Sequence, residues 1–284
     1  MPASPRRAPL GVARVVCVAC LTSVAAGALR AQAPRVVNVT AVEYALRAPD
    51  TLDAGPTTFH LVNHGTLSHH LMVFTYPAGM SWTTFDQWMR KDSVEAGGIE
   101  VVGGTEGNDE GAREAWTTVD LAPGRYILAC VLPLPDGSGT HRMKGMHRVL
   151  TVRPRRARGT PTPMPRPDAT VRMADFAYTG MPDTLRAGWH VLRFENAGTH
   201  EHLALIQRFR PGKTLADLQA WGADQRGEPP TVQVGGAATL SPGRADEIRV
   251  HLAPGHYVML CVLTNGTEPK LHAQMGMFRE FVVR

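Results

Sequence analysis

Residues 130–146 (CVLPLPDGSGTHRMKGM) and residues 261–277 (CVLTNGTEPKLHAQMGM) share one pattern, C-x10-H-x3-G-M. Each stretch follows a short apolar run that begins with L-A-P-G-x-Y. A thiolate, an imidazole and a thioether in one loop form a soft donor set, which is typical of copper held in a trigonal site with a weak axial methionine. Such a site needs a second imidazole, and the matching upstream residues are His69 in the first half and His202 in the second.

The duplication extends well beyond these loops. At an offset of 133 residues the motif N-x-G-T-x2-H, at residues 63–69, recurs at residues 196–202; further on, an offset of 131 aligns the L-A-P-G-x-Y, C-V-L, His and G-M positions. A period of this length is too long for a solenoid repeat, so each copy is predicted to be a complete domain with its own core. We assign residues 34–153 to the first copy and residues 170–284 to the second.

Residues 154–169 are predicted to connect the two copies. The run from residue 153 to residue 168 contains five prolines, which disfavour a helix or a central strand and favour an extended, semi-rigid connector. Its arginines could contact an acidic partner, but a solvated linker is the simpler interpretation.

Residues 1–33 have the pattern of a secretory signal peptide, with arginines before an apolar run and an A-x-A cleavage site at residues 31–33. We therefore expect a periplasmic or secreted protein with no membrane span. Four of the 30 basic residues lie in this segment, which leaves 26 basic against 25 acidic residues in the rest of the chain. With so little net charge, nucleic acid is not an expected partner.

Only Cys130 and Cys261 remain once residues 1–33 are removed, because Cys17 and Cys20 belong to the signal segment. This number excludes a small scaffold held together by disulfides. A single disulfide between the two remaining cysteines is a competing explanation in an oxidising compartment. It would leave the matched histidines and methionines unexplained.

The rest of each copy has the pattern of strands. Polar and apolar residues alternate over residues 37–41, and the runs 126–131 and 257–262 are short and apolar throughout, which is typical of strands buried between two sheets. One helix per copy is predicted, over residues 83–91 and 215–225. The sequence therefore predicts an all-β fold of two β-sandwiches in tandem.

These motifs together resemble the cupredoxin (blue type 1 copper, plastocyanin-like) family: an Asn-x-Gly loop leading to a His, a Pro-Gly-x-Tyr strand ending in Cys, and then His and Gly-Met. Both copies carry the resemblance, and the long Cys-to-His loop is similar to the type 1 domain of copper nitrite reductases. The resemblance implies two tandem Greek-key β-sandwich domains, each with one short helix and one type 1 copper. The implied metal ligands are His69, Cys130, His141 and Met146 in the first copy, and His202, Cys261, His272 and Met277 in the second.

Neighbouring residues leave the choice of the first histidine ambiguous. His70 adjoins His69, and His200 precedes His202 by two residues, but the shared spacing from the N-x-G-T motif selects His69 and His202. Two further methionines in the loops could belong to the core, namely Met143 and Met275.

The function predicted from the resemblance is one-electron transfer. Multicopper oxidases and nitrite reductases, as families, join the type 1 Cys directly to a His that binds a catalytic copper, whereas neither Cys130 nor Cys261 has a histidine beside it. We therefore expect a copper electron carrier with a redox partner protein, and we expect His141 and His272, at a partly exposed edge, to form the electron exit. The alternatives are a copper storage or delivery protein, a metal-free interaction module and, as the weakest, a copper reductase or oxidase.

Overall fold

The structure is a computed structural model, and it describes residues 1, 33–91, 99–107, 113–155, 162–264 and 269–284. The predicted signal peptide lies almost wholly outside the described residues, as do residues 156–161 of the predicted connector. Within the described ranges, no helix is both long enough and apolar enough to cross a membrane. The chain from Ala31 to Arg284 forms one compact unit.

Strands make up most of the regular structure, as predicted. In the first copy they are β1 Arg35–Val42, β2 Ala45–Arg47, β3 Thr51–Asp53, β4 Gly55–Asn63, β5 Leu71–Thr75, β6 Val101–Thr105, β7 Glu114–Leu121, β8 Gly124–Ala129 and β9 His147–Arg153. In the second copy they are β10 Ala169–Ala174, β11 Ala177–Thr179, β12 Thr184–Leu185, β13 Gly188–Asn196, β14 His202–Phe209, β15 Thr231–Leu240, β16 Ala245–Leu252, β17 Gly255–Leu260 and β18 Phe278–Val283.

Each copy has one α-helix, α1 Trp82–Met89 and α2 Leu215–Asp224, close to the predicted limits. Side chains just before the first turn define where each helix begins, because they accept hydrogen bonds from otherwise unpaired backbone N–H groups. Ser81 accepts from the Thr84 N–H in α1, and Thr214 forms a capping box with Asp217 in α2. A short 3-10 turn also lies within each of the repeated loops, residues 130–146 and 261–277 (the metal loops below), at His141–Lys144 and His272–Met275.

Two sheets run through both copies. The eight-stranded sheet has the order β11-β10-β13-β16-β7-β4-β1-β2, and the ten-stranded sheet has the order β12-β18-β17-β14-β15-β6-β5-β8-β9-β3. The first copy supplies the half of each sheet from β7 or β6 outward, and the second copy supplies the other half. Within each copy the chain crosses repeatedly between the two sheets. The all-β sandwich prediction is therefore confirmed.

Equivalent strands meet where the two copies join. β7 and β16 pair antiparallel with Thr117 opposite Ile248, and these residues are equivalent at the offset of 131. β6 and β15 meet at Thr105 and Ala237. These residues are also equivalent, because Thr105 holds the same place in the pairing of β6 with β5 as Ala237 holds in the pairing of β15 with β14. Equivalent strands that run antiparallel relate the copies by a local two-fold rotation. Equivalent loops of the two copies therefore lie at opposite ends of the shared sheets.

Each copy keeps its own buried cluster of hydrophobic side chains, although the sheets are continuous. The largest fully buried members are Phe59, Leu61, Leu71 and Leu128 in the first cluster, and Phe194, Tyr257 and Phe281 in the second. Burial of one such side chain contributes about 1.5–3 kcal/mol. The exact domain limits remain a prediction.

Glycines allow close strand packing within each copy, on the two strands that meet at the boundary between the copies. A Cβ on Gly104 in β6 would lie 2.4 Å from the Leu71 carbonyl oxygen, and a Cβ on Gly236 in β15 would lie 2.1 Å from the Ala204 carbonyl oxygen. Asp246 in β16 adds a polar contact across the boundary, because its carboxylate accepts a hydrogen bond from the Gly104 N–H (2.9 Å). Gly104 also faces the second copy directly, because an added Cβ would lie 2.8 Å from the Ala238 Cβ, whereas the atoms nearest to a Cβ on Gly236 belong to its own copy.

Candidate metal centres

The first centre brings together His69, Cys130 and His141. The Nδ1 atoms of the two histidines lie 3.1 Å apart, and the Cys130 Sγ lies 3.4 Å from Nδ1 of His141 and 4.0 Å from Nδ1 of His69. All three side chains are buried, with relative exposures of 3%, 0% and 2%. Cys130 and His141 lie 61 and 72 positions after His69 in the chain. The three side chains nevertheless aim their donor atoms at a single point.

The second centre has the same geometry in the second copy. Nδ1 of His202 lies 3.1 Å from Nδ1 of His272, and the Cys261 Sγ lies 3.4 Å from the latter atom. All three residues are fully buried. In the part of the chain that the structure describes, these two are the only groups of three or more His, Cys, Asp or Glu side chains able to hold one metal ion.

The N-x-G-T motif fixes the turn that leads to the first histidine of each centre. Asn63 donates from Nδ2 to the Leu67 carbonyl (2.7 Å) and accepts at Oδ1 from the Gly65 N–H (2.8 Å). Asn196 makes the same two contacts, with the His200 carbonyl (2.8 Å) and the Gly198 N–H (3.0 Å). A short amide that bonds the backbone on both sides closes such a turn in a defined shape. The motif thus places each ligand histidine at the same point relative to its sheet.

Backbone hydrogen bonds close the first metal loop around its cysteine. The Cys130 N–H donates to the Met146 carbonyl (3.1 Å), and the Met146 N–H donates to the His141 carbonyl (3.1 Å). Gly145 lies between them with φ +106°, a conformation that favours glycine, and Gly276 has φ +109° at the matching position of the second copy. Cys261, His272 and Met277 repeat the pattern, and both Met146 and Met277 are fully buried.

The other candidate methionines are neither core residues nor members of a centre. Met143 and Met275 are only half-buried. The Met143 sulfur accepts a hydrogen bond from the Thr140 N–H (3.3 Å), and its counterpart Gln274 accepts one from the Leu271 N–H (2.9 Å). The residue at this position therefore braces the loop in both copies.

The neighbouring histidines lie outside the donor groups. His70 accepts a hydrogen bond at Nε2 from the Val131 N–H (2.8 Å), and its Nδ1 lies 3.4 Å from the buried Glu106 carboxylate. His200 is partly exposed, and its ring centroid lies 6.2 Å from that of His272. The structure therefore groups the histidines as the N-x-G-T spacing predicts.

Burial governs the protonation of the donor groups. It raises the pKa of the Cys130 thiol to about 11, against the opposing effect of two backbone N–H groups that hydrogen-bond the sulfur, and it also raises the pKa of Cys261. Burial lowers the pKa of His69 to about 4, and repulsion from His141 adds to this effect. Without metal at neutral pH, the imidazoles are therefore neutral and the thiols are protonated.

The donor groups fit copper on their own chemistry. Two neutral imidazoles face each other through Nδ1 at 3.1 Å in each group, and only one of these two atoms can carry a proton in such a contact. A cation bound between these atoms would be coordinated by imidazole lone pairs and, after loss of the thiol proton, by a thiolate. Two imidazoles with one thiolate form the donor set that selects copper in a trigonal site.

Sequence reasoning missed an aromatic cover over each centre. The Tyr44 ring meets the His141 ring edge-on at 5.4 Å, and the Phe176 ring meets the His272 ring in the same way at 5.2 Å. Both aromatic residues have positive φ, 60° and 64°, which is rare for bulky side chains and recurs at functional sites. The expectation of a partly exposed histidine edge was wrong, because His141 and His272 are only 2% and 0% exposed.

No known family model matches the sequence, and no curated protein matches it. Among solved structures, the chain is similar to dithionite-reduced auracyanin from Roseiflexus castenholzii (22% identity, 40% of this chain and 94% of that chain, TM-score 0.29). It is also similar to a blue copper oxidase from Nitrosomonas europaea (16% identity, 88% and 86%, TM-score 0.25) and to a copper nitrite reductase from the same organism (13% identity, 89% and 94%, TM-score 0.25).

The fold assignment rests on the topology and the donor groups of the chain itself. Each copy contributes strands to both faces of a β-sandwich. Each also holds a buried His/Cys/His group in the predicted loops. The predicted fold is therefore confirmed: the chain is built from two copies of a cupredoxin-like β-sandwich.

Proposed function

We propose that this protein is an exported one-electron carrier that binds one type 1 copper in each copy. The observation that carries the proposal is the convergence, in both copies, of two imidazole Nδ1 atoms and one cysteine sulfur at a buried point. Residues 1–33 would direct export. A redox partner protein would deliver or accept the electron.

The proposed ligand sets include the loop methionines as the fourth, axial donors. Met146 and Met277 support this role through their full burial and through the backbone hydrogen bonds that tie each to the cysteine and histidine of its own loop. The full proposed sets are His69, Cys130, His141 and Met146 in the first centre, and His202, Cys261, His272 and Met277 in the second.

The surrounding chain would keep the donors in place through the redox cycle. Copper, when bound, would supply a one-electron couple. The protein anchors three ligands in one hydrogen-bonded loop and the fourth in a separate turn, so the donor positions are fixed before metal enters. Two backbone N–H groups point at each sulfur and favour its thiolate form. A rigid, buried donor set changes little between oxidation states, which favours fast electron transfer.

The surroundings of the cysteines favour a carrier over an oxidase or reductase. Cys130 lies between Ala129 and Val131, and the neighbours of Cys261 are likewise apolar, so no histidine links either centre to a further copper. In the described ranges, the donor groups that could hold a metal are both accounted for by the two proposed centres.

Metal analysis with optical spectroscopy tests the proposal directly. We expect the mature protein to bind two copper ions per chain and to show intense visible absorption from thiolate-to-copper charge transfer. One electron per copper should bleach this band reversibly, and zinc loading should give no visible band. A protein that stays colourless with excess copper, or that binds Cu(I) without reversible oxidation, would contradict the electron-carrier function.

Copper binding should also release protons in a predictable number. Since the thiol pKa of Cys130 is about 11 without metal, the thiol is protonated at neutral pH and must lose its proton when copper binds. The lowered pKa values of the histidines keep the imidazoles neutral above about pH 7 in both states. Affinity should therefore rise about tenfold per pH unit between roughly pH 7 and 9, with about one proton released per copper. Calorimetry in buffers of different ionisation enthalpy measures this number, and a value near zero would contradict the thiolate ligand.

A further inference from the structure

The two centres differ in what lies behind the first histidine of each. In the second centre the Nε2 atom of His202 lies 3.0 Å from the Asp175 Oδ1, within hydrogen-bond distance. In the first centre the Nε2 atom of His69 is buried and has no hydrogen-bond partner among the described residues. The two imidazoles thus have equivalent surroundings at Nδ1, which faces the other donors, and different surroundings at Nε2.

The carboxylates at this position are equivalent but differ in length. Glu43 accepts hydrogen bonds from the backbone N–H groups of Thr66 and Leu67, and Asp175 accepts from those of Thr199 and His200. Both carboxylates therefore hold the turn that precedes the ligand histidine. Only the shorter aspartate also contacts that histidine.

Gly198 makes room for the contact in the second centre. A Cβ at this position would lie 2.3 Å from the Asp175 Oδ1 and 2.8 Å from the His202 Nε2. A Cβ on the equivalent Gly65 would meet only the Glu43 carboxylate within the same distance. The backbone of the second copy is thus shaped around a carboxylate–imidazole pair that the first copy lacks.

We infer that Asp175 is a positioning residue that keeps His202 protonated at Nε2 with its Nδ1 directed at copper, and that this direct carboxylate–imidazole contact gives the second centre a lower reduction potential than the first. A carboxylate behind a ligand imidazole fixes the tautomer and raises the basicity of the ligand, which favours the more highly charged Cu(II). This inference rests on the proposed function. In the half-reduced protein, the electron would reside on the copper of the first copy.

Proteins with a single centre allow the two copies to be compared. Cys130→Ala leaves only the second centre, and Cys261→Ala leaves only the first. In the Cys130→Ala protein, Asp175→Asn removes the charge while the amide keeps nearly the same shape. At equilibrium with a redox mediator of fixed potential, the Cu(I) to Cu(II) ratio read from the visible band should rise at least about tenfold, which is about 59 mV for a one-electron couple.

The first centre supplies a matched control and a reciprocal test. In the Cys261→Ala protein, Glu43→Gln removes a carboxylate whose charge acts on His69 through space but which makes no hydrogen bond to it, so the Cu(I) to Cu(II) ratio should rise clearly less than it does for Asp175→Asn. Glu43→Asp shortens the side chain to the length found in the second copy and should lower the ratio at least about threefold, because a new carboxylate–imidazole contact stabilises Cu(II). This reciprocal test adds a contact to His69, so its result does not depend on a variant that loses one.

The outcomes separate this inference from the proposed function. A visible copper band with a ratio unchanged by Asp175→Asn, or changed equally by Glu43→Gln, would overturn the role of Asp175 and leave the electron carrier intact. The absence of any copper band in both single-centre proteins would overturn the proposed function and this inference with it. A tenfold rise for Asp175→Asn beside a clearly smaller rise for Glu43→Gln would support the inference.

Discussion

Alanine at either centre cysteine is expected to remove one copper and leave the other. The thiolate is the only anionic donor of each proposed set, and without it a buried pair of neutral imidazoles and a thioether hold Cu(II) weakly. Cys130→Ala and Cys261→Ala should each bind about one copper per chain and keep roughly half of the visible absorption, and the double variant should lose the band entirely. Metal analysis and absorption spectroscopy of the three variants measure this.

The independence of the two losses follows from the architecture. Each centre lies against its own hydrophobic cluster, and the local two-fold rotation places the equivalent loops at opposite ends of the sheets. Met143→Leu is the matched control, because Met143 lies in the same loop and braces it rather than joining the donor group. It should keep both copper ions. Retention of two copper ions by Cys130→Ala, or loss of one by Met143→Leu, would contradict the assigned centre.

Local sequence patterns were sufficient to predict the strands and the sandwich. The predicted strands overlap β1, β8 and β17, at residues 37–41, 126–131 and 257–262. A strand exposed on one face alternates polar and apolar residues, and a strand buried on both faces is apolar throughout, so both kinds can be recognised in the sequence. The continuity of both sheets across the copies could not be predicted in this way. It depends on the pairing of β7 with β16 and of β6 with β15, which no local signal encodes.

Duplication made the donor groups predictable. One Cys or His alone would carry little information, but the same four residue types at the same spacing in two diverged copies are hard to explain without a shared structural role. The structure places His69 and His202 beside their cysteines, as the spacing predicted.

The surroundings of the centres were not predictable from identity between the copies. Glu43 and Asp175 differ in type, as do Tyr44 and Phe176, and both pairs align at an offset of 132, which differs from the offsets that relate the identical residues. The similar strings V-E-Y-A and A-D-F-A at residues 42–45 and 174–177 would have been the signal. The aromatic cover also explains why exposure of His141 was predicted incorrectly, since its burial comes from a residue far away in the chain.

Gly236→Ala is expected to lower stability strongly, because an added Cβ there would make the shortest contact found for any glycine that the structure describes. Gly236 has φ +145°, and an added Cβ would lie 2.1 Å from the Ala204 carbonyl oxygen, which is backbone of the neighbouring strand β14 and cannot rotate away. β14 and β15 would have to move apart within the second copy. We expect a loss of more than about 4 kcal/mol in the free energy of unfolding. Thermal unfolding should begin roughly 10 °C lower or more.

Gly212→Ala separates backbone strain from steric conflict. Gly212 also has positive φ, +76°, but a Cβ there would meet nothing within 4 Å, so the substitution should cost only about 1–2 kcal/mol. Gly104→Ala tests steric conflict without a positive φ. Its added Cβ would lie 2.4 Å from the Leu71 carbonyl oxygen, at the equivalent place in the first copy. If Gly236→Ala and Gly212→Ala lowered the unfolding temperature equally, close packing of β15 against β14 would not be what excludes a side chain from Gly236. A larger loss for Gly236→Ala and Gly104→Ala than for Gly212→Ala would show that close strand packing, and not backbone strain alone, sets the cost.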